Sequence, residues 1–586
     1  MFPSESLMRA ITPAHAVTLC VAIGLTFLAW WLPNRPVTLA QPFDGVIESV
    51  SFAPFRGTQS PLTGNYPSDH EIALALDALV GKVRGVRLYT AREGMEIVPG
   101  LAQARGLKVF AGAWLGQVLR VNQAEVASLI DLANRFPDTI DRVIVGNEVL
   151  LRRDLPVDRL IEHIRTVRAA IKQPVTYADV WEFWLQNPQL AAEVDFITIH
   201  ILPYWEDFPL PVEVGNAHVE NILAQVRAAF PGKPVVIGEI GWPTHGRSRE
   251  AAVPGRLELA TFLTNFLHKA TSEGIRYNVI EAFDQRWKSE MEGTVGANWG
   301  LFDSNWHHKF NFNKPIVEEP RWPWGAALAA LLSIVFVVHQ RARAARLGLG
   351  RAILTGLLLA VATYGGSRAV YEAYFYAYMW APQVWAGLKA VVALGLGLAL
   401  SVTAFRILTG DTRPAAGSGP AIGGDLVLSL GLGLSFALSF LMVVPVSTLA
   451  SQVLAPATVS MLWPILPVDG RYRDFPTVYL ALAAVAPLII SGVAAATGRD
   501  RFLDRLAFGH VFGRIDDIPP KGRGWFSLVV GLGFIAMAVA LLILETPANI
   551  EAWAWGACMV LMSLPFFAAV RFRWRLRRSA LAVGIE

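Results

Sequence analysis

The sequence predicts two parts of different kinds: an α/β part folded as a (β/α)8 TIM barrel outside the cytoplasm, and an α-helical part that spans a membrane several times. Three observations lead to this prediction. Only 17% of the 586 residues are Asp, Glu, Lys or Arg and 53% are hydrophobic, whereas a soluble chain has about 25% charged residues. The hydrophobic residues are concentrated in long blocks near the N-terminus and after residue 322. Between these blocks, strand-like segments alternate with amphipathic helical segments.

The charge and the cysteine content exclude several classes of protein. The formal net charge of +4 is small for this length and gives no support for nucleic-acid binding. The high hydrophobicity excludes a disordered chain. Cys20 and Cys558 lie near opposite ends of the sequence in apolar runs, so a disulfide framework is not expected.

The first predicted element is an apolar helix over residues 14–32. At 1.5 Å per residue it is about 28 Å long, enough to cross a hydrocarbon core of about 30 Å. A cleaved signal peptide is the alternative, because Arg9 precedes the run and Thr38-Leu39-Ala40 follows it. The run is longer than a usual signal-peptide core and ends in Trp30-Trp31, which favours an uncleaved anchor over residues 1–33.

Further apolar blocks follow Trp322 and predict a C-terminal membrane domain over residues 323–586, with about seven helices. The blocks lie at 323–339, 352–369, 383–405, 425–446, 477–497, 524–544 and 551–570. With the N-terminal helix, they make eight predicted spans. The few ionisable residues near these spans are placed close enough to the predicted ends to reach the membrane surface.

Lysine and arginine residues predict the orientation of the spans. They cluster in alternate connections, namely before the first span, at 340–351, at 406–424, at 498–523 and after residue 570. With eight spans these segments all fall on one side of the membrane. Both termini are therefore predicted to be cytoplasmic, and residues 34–322 to lie on the other side.

Residues 34–322 are predicted to form the barrel. The strand-like segments are 47–55, 85–90, 108–114, 142–150, 174–180, 195–202, 234–242 and 277–283. Strands that alternate with helices pair in parallel, and eight such units suit a (β/α)8 barrel of about 250 residues. A doubly wound open sheet is the alternative, but no G-x-G-x-x-G segment follows the first strand.

Two glutamates stand where the active site of such a barrel is expected. Glu148 and Glu239 each follow an apolar strand-like run, which places both at the carboxyl end of the barrel. A carboxylate buried there is costly unless it is paired or functional. For either residue alone a structural salt bridge is an adequate explanation, but two together favour a catalytic pair.

Residues around these glutamates resemble the signatures of family 17 glycoside hydrolases, the β-1,3-glucanase family. The two most specific segments are Asn147-Glu148 and Glu239-Ile240-Gly241-Trp242-Pro243. The segments GVRLY at 85–89, FDQRWK at 283–288 and NWGLFD at 298–303 are similar to further family motifs. The resemblance covers about residues 45–310. The flanking membrane spans are similar to those of bacterial members that act as glucanosyltransferases in cyclic β-glucan synthesis.

The resemblance implies roles for the residues at these motifs. Glu239 would be the nucleophile and Glu148 the acid/base of a retaining mechanism, with carboxyl groups about 5–5.5 Å apart. We expect the negative charge of Glu239 to raise the pKa of Glu148. Asn147 is expected to bind the 2-hydroxyl of the sugar, the alternative being a loop residue that satisfies backbone groups.

Aromatic and charged residues near the strand ends are candidates for sugar binding, because flat apolar rings pack against the C–H faces of glucose. Any single aromatic residue among them could equally be part of the barrel packing. The candidates that match family motifs, or follow a strand, are Tyr89, Tyr204, Trp242, Asp284, Lys288, Trp114 and Trp299.

The predicted activity is transfer of β-1,3-glucan segments to a glucan acceptor, forming β-1,6 links or branches in periplasmic glucan at a bacterial inner membrane. A membrane-anchored hydrolase is the nearest alternative. A non-catalytic glucan-binding scaffold and a transport component are the others. Membrane lipid and a glucan synthase or exporter are the expected partners. No metal-binding or nucleotide-binding motif is present in the sequence, so no cofactor is expected.

Overall fold

The computed structural model describes residues 12–410, 474–475, 477–498, 501–507 and 524–583. The chain divides into two compact units. One comprises Pro36–Glu318, and the other comprises Met1–Arg35 together with Glu319–Glu586. The first unit is therefore inserted into the second, since both of its ends continue into the same unit.

The unit Pro36–Glu318 is built around a closed barrel of eight parallel strands. The strands are β1 (Ile47–Ser51), β2 (Val83–Arg87), β3 (Lys108–Ala113), β4 (Ile140–Asn147), β5 (Val175–Val180), β6 (Ile197–His200), β7 (Val235–Ile240) and β8 (Arg276–Val279). Each strand pairs with its neighbours in chain order, and β8 closes on β1 through Val50 and Val279. The predicted (β/α)8 barrel is confirmed, with one strand at each predicted segment.

Helices surround the barrel and bury one face against it. Among the described residues of this unit they are Asp69–Leu79, Val98–Gln103, Leu119–Arg135, Val157–Ala170, Trp181–Gln186, Leu190–Glu193, Val212–Ala229, Arg256–Glu273 and Ser289–Gly296. The first is typical: Ser68 and Glu71 form a capping box, and the helix buries Ile72, Leu76 and Leu79 at spacings of one turn. Short 3-10 turns lie at Pro61–Thr63, Met95–Ile97 and Arg286–Lys288.

The strand registers bring particular side chains together at the carboxyl end of the barrel. Glu239 of β7 lies opposite His200, the last residue of β6. Asn147, the last residue of β4, lies opposite Ala178 of β5. The strand register is irregular beside each of these pairs. Irregularities of this kind change the direction of side chains next to active sites.

The other unit contains six helices, among the described residues, that are long and apolar enough to cross a membrane. The unit's principal helices are Pro13–Trp31, Trp322–His339, Leu349–Phe375, Trp380–Thr409, Thr477–Ala496, Gly524–Leu544 and Ile550–Val583, with short helices at Arg341–Ala344 and Phe502–Leu506. The six candidates coincide with six of the predicted spans. The predicted span 524–544 forms the helix Gly524–Leu544, and among the described residues its part Gly531–Leu544 is a shorter apolar helix that is not one of the six candidates. The predicted span 425–446 lies outside the described residues.

The N-terminal helix packs closely against two later helices of its own unit. A Cβ on Gly325 would lie 2.3 Å from the Trp30 ring, and one on Gly356 would lie 2.8 Å from the Thr18 carbonyl oxygen. Small residues at helix contacts allow such close approach between membrane helices. Trp30 also donates from Nε1 to Ser367 Oγ at 3.2 Å. These contacts hold Pro13–Trp31, Trp322–His339 and Leu349–Phe375 together.

Candidate active site

The two predicted glutamates lie together at the carboxyl end of the barrel. Glu239 is within β7, and Glu148 directly follows β4. A carboxylate oxygen of each lies within 4.8 Å of the other. This is the end of a (β/α)8 barrel at which active sites are found.

Glu148 is held in an uncommon backbone conformation. Its φ is 51°, in the left-handed region that residues other than glycine rarely adopt. Gly146, with a φ of 87°, precedes it, and a Cβ there would lie 2.8 Å from the Val149 side chain. The Glu148 amide donates to Ala178 O at 2.8 Å, and the Leu150 amide donates to the Tyr177 hydroxyl at 3.0 Å. The neighbouring strand β5 thus fixes the turn that aims the Glu148 side chain.

Glu239 is buried and receives two strong hydrogen bonds on one oxygen. Arg87 donates from Nη1 to Glu239 Oε1 at 2.9 Å, and the Tyr89 hydroxyl donates to the same atom at 2.9 Å. The guanidinium and the hydroxyl together satisfy Oε1 of this buried carboxylate and fix its position.

Arg87 connects three acceptors at the base of the site by hydrogen bonds. It is fully buried at the end of β2. Besides Glu239, it donates from Nη1 to Gly238 O at 2.6 Å and from Nη2 to Asn147 Oδ1 at 2.5 Å. Arg87 stands within the GVRLY segment, but no role for it was predicted from the sequence. Only the closure of the barrel brings β2 within reach of β4 and β7.

His200 bridges the two carboxylates. Its Nδ1 lies 2.8 Å from Glu148 Oε1, and its Nε2 lies 3.6 Å from Glu239 Oε1. Arg87 Nη2 is 3.4 Å from the same Nε2. Gly238 leaves room for the ring, since a Cβ there would lie 3.0 Å from His200 Cδ2. The sequence offered one signal for this role, a histidine at the end of the sixth predicted strand.

The pKa of Glu148 lies below its ordinary value in this structure, opposite to the sequence-based expectation. Burial raises it, but the hydrogen bond and charge of His200 lower it, as do the charges of Arg152 and Arg87. The expectation considered only the repulsion from Glu239. It missed basic groups that reach Glu148 from β2, from β6 and from the turn after β4.

Glu148, His200 and Glu239 are close enough for one ligand atom of each to meet at a metal ion. The groups around these three side chains oppose the binding of a metal ion. Arg87 already donates to Glu239 Oε1, and its guanidinium would repel a metal ion at that atom. The arrangement is chemically that of two carboxylates with a shared imidazole and a fixed positive charge.

Three candidate sugar-binding residues lie at or beside the glutamates. Asn147 accepts the hydrogen bond from Arg87, and Tyr89 donates to Glu239 as described above. Trp114, which follows β3, is 40% exposed. The guanidinium of Arg152 lies 4.1 Å from the centre of one Trp114 ring, so this side chain is supported by the turn that carries Glu148.

Tyr204, Trp242 and Trp299 lie inside the fold. The Tyr204 hydroxyl donates to Arg247 O at 2.5 Å, and Trp242 Nε1 donates to Val253 O at 2.8 Å. Both side chains are fully buried, so they present no free ring face at the surface. Trp299 is nearly buried and stacks on half-buried Trp205, with ring planes 18° apart. Tyr204 is the predicted sugar-binding residue because it matches a motif position, which its neighbour Trp205 does not.

Asp284 and Lys288 are held in separate buried ion pairs. Asp284 Oδ1 lies 2.5 Å from Lys309 Nζ and accepts from the Gly300 amide at 3.0 Å. Lys288 contacts the buried carboxylate of Glu281. Burial raises the pKa of Glu281 to about 7, although the charge of Lys288 opposes the shift. Asp284, which follows β8, therefore connects that segment to Gly300 and Lys309. Lys288 neutralises the carboxylate of Glu281, which lies near Glu239.

Comparison with known proteins is consistent with this geometry. Residues 49–300 match the profile of the BtgE/BtgC glycoside hydrolase domain. The chain is 29% identical over 232 residues to a glucan 1,3-beta-glucosidase of Schizosaccharomyces pombe, covering 37% of this chain and 71% of that protein. It is 27% identical over 307 residues to a putative glucan endo-1,3-beta-glucosidase of Aspergillus niger, covering 44% of this chain and 42% of that protein.

A solved structure also resembles the chain. It is a glycoside hydrolase family 17 beta-1,3-glucanosyltransferase from Rhizomucor miehei, which is 23% identical to this chain. The superposition has a TM-score of 0.41 and covers 45% of this chain and 95% of that structure.

Proposed function

We propose that this chain, whose residues 49–300 form a glycoside hydrolase domain of the BtgE/BtgC type, is a membrane-bound retaining β-1,3-glucanosyltransferase. The observation that carries the proposal is the approach of the Glu148 and Glu239 carboxylate oxygens to within 4.8 Å. Retaining glycosidases have carboxyl groups about 5–5.5 Å apart, whereas inverting enzymes need about 6.5–9.5 Å to admit a water. The names of the relatives support β-1,3-glucan as the substrate.

In the first step Glu239 attacks the anomeric carbon of the sugar and forms a covalent glycosyl ester. The bond from that carbon to the glycosidic oxygen breaks as Glu148 gives its proton to that oxygen. In the second step a hydroxyl group attacks the same carbon and gives its proton to Glu148, and the carboxylate of Glu239 leaves. Two inversions restore the original β configuration.

Arg87 and Tyr89 support both steps at Glu239. Their hydrogen bonds to Oε1 orient the carboxylate before attack and stabilise its negative charge as it leaves in the second step. Both bonds go to one oxygen, so Oε2 is the oxygen we assign to the anomeric carbon. Asn147 Oδ1 is engaged by Arg87, which orients the amide and directs its nitrogen to the 2-hydroxyl of the sugar.

Transfer rather than hydrolysis requires that a sugar hydroxyl outcompete water at the second step. The leaving segment departs from the Glu148 side, because Glu148 protonates its oxygen. Trp114 lies on this side, supported by Arg152. Trp205, which follows β6, stacks on Trp299, which follows β8. We assign these rings to the acceptor, since aromatic faces bind glucose at low entropy cost. The link formed would be β-1,6.

The chain is proposed to lie in a bacterial inner membrane, with both termini cytoplasmic and the barrel in the periplasm. Six apolar helices support the membrane location, and the clusters of Lys and Arg support the orientation. We assign residues 1–33 to the anchor, 34–322 to the catalytic domain and 323–586 to the membrane domain. Periplasmic or cyclic glucan would be the acceptor. A glucan synthase or exporter would be the partner that delivers it.

The test is incubation of the detergent-solubilised chain with laminari-oligosaccharides, followed by mass analysis of products and assignment of linkages by NMR. Transfer predicts products longer than the substrate and new β-1,6 signals. If only shorter products form at high substrate concentration, the chain is a hydrolase. Glu239→Gln should abolish turnover, whereas Glu273→Gln, a change at an exposed residue on the helix Arg256–Glu273, should leave it unchanged. Turnover retained in Glu239→Gln would exclude the assigned mechanism.

A further inference from the structure

We propose that Arg152 is a positioning residue that fixes the Trp114 ring relative to Glu148, so that a sugar bound on this ring lies at a set distance from the acid/base. This proposal rests on the proposed function and deepens it. Arg152 belongs to the turn after β4, and its own amide donates to Glu148 O at 2.9 Å. Trp114 directly follows β3, the strand that pairs with β4.

The Arg152 guanidinium contacts both of these segments. Nη1 donates to Asn147 O, and Nη2 donates to Leu115 O at 3.0 Å. Nε donates to Asp154 Oδ2 at 2.8 Å, which fixes the plane of the group. The centre of the guanidinium lies 4.1 Å from the centre of a Trp114 ring, within the range of about 6 Å for a cation–π contact. One planar group therefore joins the turn of the acid/base to the loop of the ring.

The main chain of the Trp114 loop is held from a different direction. Glu125 of the helix Leu119–Arg135 is buried, and its Oε2 accepts from the Trp114 amide at 3.1 Å. Asn122 of the same helix is fully buried, accepts from the Gly116 amide at 2.8 Å and donates to Gly116 O at 2.7 Å. The helix thus fixes the main chain of the loop, and the guanidinium contacts its aromatic ring.

The same buried carboxylate also holds the loop after β2. Glu125 Oε1 accepts from the Thr90 hydroxyl at 2.6 Å, and Oε2 accepts from the Ala91 amide at 3.0 Å. Thr90 directly follows Tyr89, whose hydroxyl donates to the nucleophile. The loop that carries Trp114 is therefore tied to the nucleophile side of the site through Glu125 and to the acid/base side through the guanidinium.

A preformed ring beside the acid/base suits both the sugar that departs and the sugar that arrives. They occupy the same side of the anomeric carbon, because the second step retraces the geometry of the first. Trp114 is 40% exposed although Arg152 lies over one side of its ring, which leaves the other side for a pyranose. The glycosidic oxygen of that sugar meets Glu148 only if ring and turn keep their spacing, and small misplacements cost much of the rate.

The test compares two donors that differ in what leaves. A laminari-oligosaccharide places a departing sugar on the Trp114 ring, whereas β-laminaribiosyl fluoride releases an ion too small to reach it. Arg152→Lys keeps the charge but cannot hold two carbonyl oxygens and the ring at once. We expect kcat/KM of the detergent-solubilised chain to fall about 10-fold on the oligosaccharide and less than about 3-fold on the fluoride. Arg159→Lys, at an exposed residue on the helix Val157–Ala170, is the matched control and should change neither value.

A double-mutant cycle shows whether Arg152 acts through Trp114. Trp114→Ala alone should lower kcat/KM on the oligosaccharide by about 10-fold, since the sugar loses its ring. If Arg152 acts through that ring, adding Arg152→Lys to Trp114→Ala should lower the value by less than about 2-fold more. If Arg152 acts on Glu148 or on the fold in general, the two losses multiply to about 100-fold. Multiplied losses would overturn the proposal.

Other outcomes separate this proposal from the proposed function. If the wild-type chain acts on neither donor, the proposed function fails. If it acts on both and Arg152→Lys lowers both equally, or neither, only the role of Arg152 fails. If it acts on the oligosaccharide alone, the double-mutant cycle decides.

A second variant serves if Arg152→Lys does not fold. Asp154→Ala removes the acceptor of Arg152 Nε and leaves the guanidinium in place. We expect it to lower kcat/KM on the oligosaccharide about 3-fold more than on the fluoride, because the plane of the guanidinium is no longer fixed. An equal change on both donors would refute the positioning role.

Discussion

Replacing Arg87 with lysine tests how the side chain of Glu239 is held in place. The guanidinium serves three acceptors at once: Gly238 O at 2.6 Å, Glu239 Oε1 at 2.9 Å and Asn147 Oδ1 at 2.5 Å. Lysine keeps the positive charge, but it presents one nitrogen on a flexible stem instead of a rigid fork. We expect it to satisfy Glu239 and to lose the other two hydrogen bonds. Asn147 Oδ1 would then lack the Arg87 donor, while Gly238 O would keep only the hydrogen bond from Asn278 Nδ2 at 3.0 Å.

The magnitude follows from those contacts. A hydrogen bond that involves a charged group contributes about 1.5–3 kcal/mol, and a buried acceptor left unpaired costs a similar amount. Loss of two such bonds predicts a decrease of about 3–6 kcal/mol in the free energy of unfolding of the barrel. Domains are stable by only about 5–15 kcal/mol, so the decrease would be large. Activity on laminari-oligosaccharides should fall as well, because Asn147 and Glu239 lose their alignment.

The assay is denaturant unfolding of the detergent-solubilised chain, followed by the fluorescence of the barrel's tryptophans. Arg165→Lys is the matched control, because Arg165 makes two hydrogen bonds to Glu193, at 2.8 and 2.6 Å, on the exposed surface. An exposed pair is worth about 0–1 kcal/mol, so this change should barely move the midpoint. If Arg87→Lys unfolds at the wild-type denaturant concentration, the three contacts do not stabilise the barrel and the reasoning is wrong.

Three other changes test the site. Glu148→Ala should lower the rate on laminari-oligosaccharides by about 10²–10⁴-fold but spare formation of the glycosyl-enzyme from a dinitrophenyl glycoside. Stopped-flow measurement of dinitrophenolate release follows that step. An equal loss of rate on both substrates would reject the acid/base role. Trp205→Ala should lower the ratio of transfer to hydrolysis by about 10-fold, because one ring of the stacked Trp205–Trp299 pair is lost. Product chromatography measures this ratio. An unchanged ratio would show that these rings are not part of the acceptor site. The pKa of Glu281, raised by burial from 4.5 to about 7, predicts that its protonated form stabilises the fold and that this contribution is lost as pH rises through that interval. Glu281→Gln should therefore flatten the dependence of the unfolding midpoint on pH between 5 and 7, and an unchanged slope would contradict the assignment.

The positions of the strands and of both glutamates could be predicted from the sequence because each depends on a local pattern. An apolar run followed by Asn147-Glu148 or by Glu239-Ile240 shows where a strand ends, and parallel pairing then places all strand ends at one edge. No knowledge of which strands are neighbours is needed for this inference. The structure confirms the eight predicted strands.

The partners of the glutamates depend on contacts that no local pattern contains. Arg87 and His200 reach Glu239 from β2 and β6, across the interior of the closed barrel. Their positions depend on the closed barrel geometry and on register shifts such as the one beside His200. The direction of the Glu148 pKa shift depends on the same contacts, which is why the sequence-based expectation had the wrong sign.

Motif matching also does not reveal which way a side chain points. Tyr204 and Trp242 stand at motif positions, yet both are buried and donate to main-chain oxygens. Trp205, one residue further along, is only half buried and stacks on Trp299. Adjacent residues in a loop can face opposite sides, and their orientation follows from the packing of the whole loop.

The insertion of the barrel between two helices of one unit alters its unfolded state. Pro13–Trp31 and Trp322–His339 are packed together through Trp30 and Gly325, so an unfolded barrel segment would still have both ends tied at one place. It would behave like a closed loop of roughly 280 residues. The chain entropy that this loop loses corresponds to about 5.6 kcal/mol on the estimate used for cross-linked chains. While the two helices stay packed together in a membrane, they keep the two ends of the barrel segment close and so stabilise the folded barrel. A barrel cut free of these helices would lose that contribution and unfold more readily than the same residues do within the chain.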